Sequence, residues 1–415
     1  MAYAVCFPDS YTPLSNLPSD ADPQICLTGA DLQSLQARIE SVFNSFTKTP
    51  VQPMDNLDQD RLRRAIMPYC EYGQTLLDRI GLTERRIFSL TENQCVLLDY
   101  INDFKKALIK GCAGSGKSFM AVKKARDLAS GGKSVLLLAY NQLIGRRLAA
   151  TLSDVSDLIT AGTYHEYCIS QLQKFGHKLD IKRDDSNFWE HEIPEAFLEL
   201  LKNHPINYDA VIIDEGQDFS TEYWVTIASL VKADGCFYIF YDPRHNLYGT
   251  EMQFPFHQPV FSLTRNCRNT QKVFEKLKPY GAKWMLLAEN APEGEEVIEH
   301  RSPYAHVRLH LLRSILHRLL EEEGLSPSQV VILGGHSLDR TSIGNHRQFG
   351  SYFITDSIED NPRAIHYFTH MKFKGCEAEV VILLDTDPQD VRWNDLSMYT
   401  AISRAKHALY FIWTG

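Results

Sequence analysis

Eight consecutive residues, Gly111-Cys112-Ala113-Gly114-Ser115-Gly116-Lys117-Ser118, constrain this chain more than any other feature. They follow a short apolar run, ALIKG, and precede a helix-period segment over 117–130. A glycine-rich turn between strand and helix lets backbone N–H groups wrap phosphates at a helix N-terminus. Lys117 supplies positive charge to the outer phosphate oxygens, and the Ser118 hydroxyl is placed for Mg²⁺. The loop therefore calls for ATP with Mg²⁺, and for a strand–turn–helix unit to carry it.

The rest of the chain repeats that unit. SVLLLAY, DAVIID and CFYIFY alternate with helix-period segments over 142–153 and 221–232, which implies crossover connections and a parallel sheet covered on both faces. A second series follows with EEVIEH, a helix over 304–323, QVVILGG, AIHYFTH, EVVILLD, a helix over 396–405 and ALYFIW. Two α/β domains fit, over 87–260 (with a small insertion at about 168–206) and 261–415. Residues 1–86 differ, with a Pro-rich, acidic start and helical stretches around 30–46 and 59–80. Eight acids stand against only Arg38 and Lys48 in residues 1–60, so most of the net charge of −9 collects there and the remainder can hold a basic groove. Nine scattered cysteines form no C-x-x-C pair, which argues against a zinc ribbon or a disulfide scaffold. No segment has the length and apolarity of a membrane helix, and the start MAYAVCFPDS lacks a leader pattern, so a cytoplasmic protein is expected.

The second chemical signal is Val211-Ile212-Ile213-Asp214-Glu215-Gly216-Gln217-Asp218, an apolar strand ending in acids. Beside the strand of the phosphate loop, Asp214 can hold Mg²⁺, and Glu215 can orient and deprotonate an attacking water. Taken alone, acids at a strand end also simply solvate the next turn. The phosphate loop shifts the balance toward hydrolysis.

Asp-Glu-x-Gln-Asp after Gly-x-Ala-Gly-Ser-Gly-Lys-Ser resembles the UvrD/Rep-like branch of superfamily 1 helicases, most closely the helicase portion of proteins with a nuclease-related (NERD) domain. Further motifs appear in family order over about 88–413. The resemblance implies two RecA-like parallel-sheet P-loop domains in tandem, behind a mainly helical N-terminal extension. It implies that Gln94 of LTENQ reads adenine, and that Gly111, Ala113 to Ser118, Gln217, His245, Gly375 and Glu377 line the nucleotide site. Tyr140, Asn141, Thr163, His165 and Tyr248 would contact single-stranded nucleic acid. Arg268 of NCRN and Arg404 of ISRAK would join Lys117 and Glu215 as catalytic groups, reaching the γ-phosphate across the interdomain cleft.

The chain departs from the family where His245 replaces Gln, Cys267 replaces Tyr, and Met371 replaces His with His370 one place earlier. Loss of a ring at 267 removes a stacking partner for adenine and leaves Phe119 as an alternative. Only about 40 residues separate Tyr167 from the Asp214 strand and about 100 separate Asn269 from Thr369, which leaves no room for the bulky accessory domain that helps split duplexes. The function implied is an ATP-dependent motor on single strands, DNA rather than RNA, moving 3′ to 5′ with limited unwinding, in DNA repair or phage defence. Residues 1–86 show no nuclease-like acid cluster, so cleavage would need a separate partner. The competing reading is an ATP-driven switch that signals to a partner, for example a nuclease, with little movement.

Overall fold

The structure is a computed structural model that describes residues 5–7, 22, 24–46, 75–155, 157–178, 180–181, 185–244, 252–358 and 361–415. Contacts divide the chain into Met1–Gly73 and Gln74–Gly415. In the first unit, Val5–Phe7 (β1) pairs in parallel with Cys26–Thr28 (β2), and a 3-10 turn over Gly29–Ser34 leads into the helix Leu35–Phe46 (α1). Helix is found where 30–46 was expected; the expected stretch at 59–80 lies outside the described residues as far as residue 74.

The second unit opens on the helix Leu76–Gln94 (α2), started by a capping box between Thr75 and Asp78. Leu76 and Ile80 are buried with Leu312, Leu316 and Leu319. Because α2 runs unbroken through residue 86, a boundary placed there from composition falls inside one continuous element. A short helix, Val96–Ile101 (α3), then leads to the first sheet.

That sheet contains Lys106–Gly111 (β3), Val135–Ala139 (β4), Ile159–Thr163 (β5), Tyr208–Asp214 (β6), Val231–Tyr241 (β7) and Val260–Leu263 (β8). All are parallel, in the order β5-β4-β6-β7-β3-β8. The fully buried run VLLLA of β4 reflects helices on both faces. These are Lys117–Ser130 (α4), Gln142–Thr151 (α5), Tyr164–Lys174 (α6), Ile193–Asn203 (α7) and Thr221–Ser229 (α8). The order corrects one expectation, since β7 separates the Asp214 strand from the P-loop strand. Alternation of strand and helix in a sequence reveals crossovers but not which strands end up adjacent. The sheet also extends through Leu263, three residues past the division drawn at 260.

Arg265–Asn266 (β9) and Leu286–Leu287 (β10) form a small parallel pair. The second sheet comprises Ile298–Arg301 (β11), Val330–Gly334 (β12), Gln348–Phe349 (β13), Tyr352–Thr355 (β14), Ala364–Thr369 (β15), Ala378–Thr386 (β16) and Ala405–Trp413 (β17). Its order is β11-β17-β16-β12-β15-β14-β13, parallel except for the terminal β13–β14 hairpin. Its helices include Gln271–Leu277 (α9), Ala305–His317 (α10) and Asp395–Ile402 (α11). The architecture is thus two RecA-like parallel-sheet domains in tandem, and each P-loop or acidic residue of interest sits at the carboxyl end of a strand, where open α/β sheets bind ligands. Among the described residues, no helix is long and apolar enough to cross a membrane.

Candidate functional site

Gly111 ends β3, and the turn after it reaches α4 through Gly114 and Gly116, both with positive φ (71° and 83°). A side chain at Gly114 would meet the Asn266 amide at 2.6 Å, so glycine is required there by approach as well as by φ. No side chain caps α4, which leaves its first-turn N–H groups free to meet an anion. Ser115 Oγ is buried without a hydrogen-bond partner. Lys117, only 6% exposed, donates to the carbonyls of Gly111 (3.1 Å) and Cys112 (3.0 Å) and lies 3.6 Å from Asp242 Oδ2.

Asp214 and Glu215 stand opposite at the end of β6. Asp214 is fully buried; burial and the neighbouring Glu215 charge raise it to about 6, against the pull of the Ser118 hydroxyl and Lys117. Its Oδ2 has no partner. Ser118, Asp214 and the orphaned oxygens fit a Mg²⁺–phosphate group, since hard oxygen donors already face the loop. Glu215 has φ 56°, a left-handed conformation that costs a non-glycine residue about 1 kcal/mol or more. Burial pushes its carboxyl up, but Lys117, Lys374, Arg404 and the Gln217 amide together hold it below its ordinary value. Gln217 donates to Glu215 Oε2 at 2.5 Å and accepts from the Asp242 N–H at 2.9 Å, so one amide ties the two carboxylate loops.

The second domain enters this site at several points. Arg268, Gly375 and Arg404 line one cavity with residues 113–118 and Glu215. Arg404 is 2% exposed and donates to the carbonyls of Thr400 (3.0 Å) and Cys376 (3.1 Å) and to Ser403 Oγ (2.7 Å). It occupies the turn between α11 and β17, beyond the helix expected to carry it. Burial, with Arg268 nearby, lowers its pKa. Arg268 pairs with Glu377 Oε2 at 2.6 Å, and Arg147 of α5 holds Glu377 Oε1 at 2.6 Å. Burial raises Glu377, yet Arg268, Arg147 and Lys406 outweigh it and keep this carboxyl ionised.

A cavity of about 580 Å³ opens beside the loop, bounded by Gly114, Gly116, Ser118, Arg268, Gly375 and Glu377 and walled by Phe88, Phe119, Val122 and Leu148. Phe88 and Phe119 meet edge to face at 5.7 Å. Gln94 does not line it; its Nε2 donates to Cys267 Sγ (2.7 Å) and to the Arg265 carbonyl (3.0 Å). Phe119, with Phe88 beside it, is therefore a ring that the structure places at the cavity, and Cys267, which is buried, does not line it.

The expected strand contacts separate into two groups. Tyr140 and His165 belong to an aromatic cluster with Tyr164, Trp189, Phe219 and Tyr223 at the ends of β4 and β5, with His165 5.4 Å from both Trp189 and Tyr223. Burial lowers His165 to about 4, so the ring is neutral at pH 7. Asn141 and Thr163 also cap helices, accepting from the Leu143 and Glu166 N–H groups. Thr163 is 4% exposed and lines a cavity with Gly162 and Glu166, while Asn141 Nδ2 donates to the Lys372 carbonyl of the second domain. His245 and Tyr248 lie outside the described residues.

Residues outside the expected site set complete the site. Tyr399 of α11 is fully buried; its hydroxyl accepts from the Ala113 N–H (2.8 Å) and donates to Asp242 Oδ2 (3.2 Å). The Cys267 N–H donates to the Gly114 carbonyl at 2.9 Å. A buried Lys374–Asp218 ion pair also crosses the interface. The motif tyrosine at 399 was legible in the sequence, but nothing there told which of its neighbours it would bridge.

Fold and site together define the class: tandem RecA-like domains closing on a P-loop. The family described as an AAA domain matches residues 99–250, which hold the P-loop and the Asp214–Asp218 turn. No curated protein matches the sequence. Solved structures similar to this chain include arterivirus nonstructural protein 10, a helicase, at 16% identity and TM-score 0.36, over 74% of this chain and 59% of that one. The same helicase in complex with DNA matches at 17%, TM-score 0.36, 74% and 60%, and the PRRSV helicase at 12%, 0.36, 74% and 52%. This chain thus spans less than two thirds of the length of those helicases.

Proposed function

We propose that this chain is an ATP-dependent nucleic-acid motor of the superfamily 1 type, an ATPase stimulated by single strands, DNA in preference to RNA, that translocates 3′ to 5′. The observation that carries the reading is convergence: Lys117, Ser118 and Glu215 of one domain and Arg268 and Arg404 of the other border one cavity, with Asp214 beside Ser118 and Lys117. An enzyme that hydrolysed ATP without moving parts would have no need to split its cations between two domains.

In this reading Lys117 leaves the Gly111 and Cys112 carbonyls for the β/γ oxygens, and Glu215, kept ionised by the cations around it, takes the proton of the attacking water. Ser118 and Asp214 would hold Mg²⁺, which supplies charge neutralisation across the phosphates. Arg404 and Arg268 meet the charge that develops in the transition state, so their contribution depends on closure. The base lies against Phe119 in the 580 Å³ cavity. Single strands stack on the face around Tyr140 and His165, each ring contributing about 1–3 kcal/mol. The AAA-domain match over 99–250 supports nucleotide use. Action with a separate nuclease, in repair or phage defence, belongs to the same proposal.

The test is ATP turnover with single-stranded DNA, duplex DNA and RNA of equal length, in the wild type and in Arg404→Ala. Turnover should rise with single strands, and the variant should lose roughly 10³-fold in hydrolysis while ATP affinity stays within about tenfold. Equal turnover with and without any strand would remove the motor. Stimulation that survives in Arg404→Ala would remove the closure mechanism.

A further inference from the structure

Lys374 Nζ lies 2.5 Å from Asp218 Oδ1, and both side chains are 1% exposed. Removing two charges from water costs several kcal/mol per ion, and a hydrophobic pair of similar size usually serves stability as well or better. Asp218 Oδ2 has no hydrogen-bond partner to offset that cost, and burial pushes Asp218 up to about 7 despite Lys374. An ion pair so poorly suited to stability, placed between two domains, points to registry as its role.

The two residues are attached to the loops that surround Glu215. Asp218 closes the turn Gly216–Asp218, whose N-cap is Glu215 and whose Gln217 donates to the Glu215 carboxylate. Lys374 precedes Gly375, where φ is 77° and a Cβ would lie 3.6 Å from Glu215 Oε1. The same two loops also reach the aromatic face. Phe219, next to Asp218, packs edge-on against Tyr140 at 5.8 Å, and the carbonyl of Lys372 accepts from Asn141.

We infer that Asp218 and Lys374 are positioning residues, their ion pair seating the second domain's loop so that Glu215 is aimed at the water it activates. The inference rests on Glu215 being the hydrolytic base. The pair joins the Glu215 turn to the Tyr140–Asn141 face, so a strand bound there acts on hydrolysis through it.

The test uses the full chain with Asp218→Asn/Lys374→Met, which replaces the pair by neutral groups of similar volume and so spares the fold. Turnover at saturating ATP should fall roughly 10²-fold, the scale of a misplaced catalytic group. The ATP KM should stay within about threefold, as expected when an interaction is felt only in the transition state. Lys374→Arg should recover most of the loss. A folded double variant with wild-type turnover would reduce the pair to a structural contact, and a raised KM with unchanged kcat would assign it to binding; either overturns the inference. If the double variant does not fold, Asp218→Glu, which keeps both charges but moves the carboxylate, decides by the same split. A wild-type protein that hydrolyses nothing would instead dispose of the Glu215 reading itself.

Discussion

Deleting one oxygen, in Tyr399→Phe, tests how firmly the two domains are joined at the P-loop. The ring stays and keeps its packing, while the hydroxyl that bridges Ala113 N–H and Asp242 Oδ2 is lost. Both partners are buried; Asp242 retains the Arg244 N–H on Oδ1 at 2.9 Å and has Lys117 at 3.6 Å from Oδ2, so the lost bond at Oδ2 is offset only in part. A buried N–H left unpaired costs about 1–3 kcal/mol, and a hydrogen bond to a carboxylate contributes about 1.5–3 kcal/mol. Allowing for partial relaxation, a loss of about 2–4 kcal/mol is expected, equivalent to roughly 3–6 °C in Tm for the unit Gln74–Gly415. Thermal unfolding followed by circular dichroism reads this directly, with Tyr280→Phe as a control for generic tyrosine loss. A Tyr399→Phe Tm within about 1 °C of wild type would refute the bridge and leave Tyr399 as a packed ring only.

Lys117→Ala and Glu215→Gln should both abolish turnover, but only the second should retain and trap ATP, because lysine cradles phosphate whereas the glutamate acts on water; wild-type hydrolysis in Glu215→Gln would remove it as the base. A chain starting at Gln74 should remain folded and hydrolyse ATP, whereas a start at residue 81 deletes Leu76 and Ile80 from the second domain's core and should lose about 3 kcal/mol or more; comparing the two by denaturant unfolding checks it. His165 titrates at about 4 in the fold against 6.5 when free, so its contribution is intact above about pH 6.5 and is lost as pH falls toward 4, by up to roughly 3 kcal/mol. Replacing it with glutamine should flatten stability measured between pH 7 and pH 5.

What could be read from the chain beforehand divides along a physical line. The P-loop, the β6 acids and the apolar strands of both sheets were legible because they are local: a glycine that needs positive φ, a lysine and a serine at fixed offsets, and β-branched runs that must be buried on both faces; β5 and β8, short and only partly buried, were not. The strand order was not, because β3 finds its neighbours β7 and β8 more than a hundred residues away. The β13–β14 hairpin escaped notice because two- and four-residue strands carry too few side chains to show a period. Asn141 and Thr163 show another limit, since each also caps a helix, a task that short polar residues do wherever a strand turns into a helix and that the motif does not reveal.

The same division explains why the interface residues were hardest to foresee. Lys374 and Asp218 are separated by 156 positions, and each alone is an ordinary charged residue. Only burial of both, at an expense that ordinary stability does not justify, marks them as functional. Arg404 and Tyr399 could be named from their motif, yet their partners, Cys376 on one side and Ala113 and Asp242 on the other, depend on how α11 docks against the first domain. A motor that works by closure must place its decisive contacts between parts that are distant in sequence, since contacts within one domain cannot change when the cleft opens. The partners that a local reading misses are therefore the ones on which a closing mechanism has to depend.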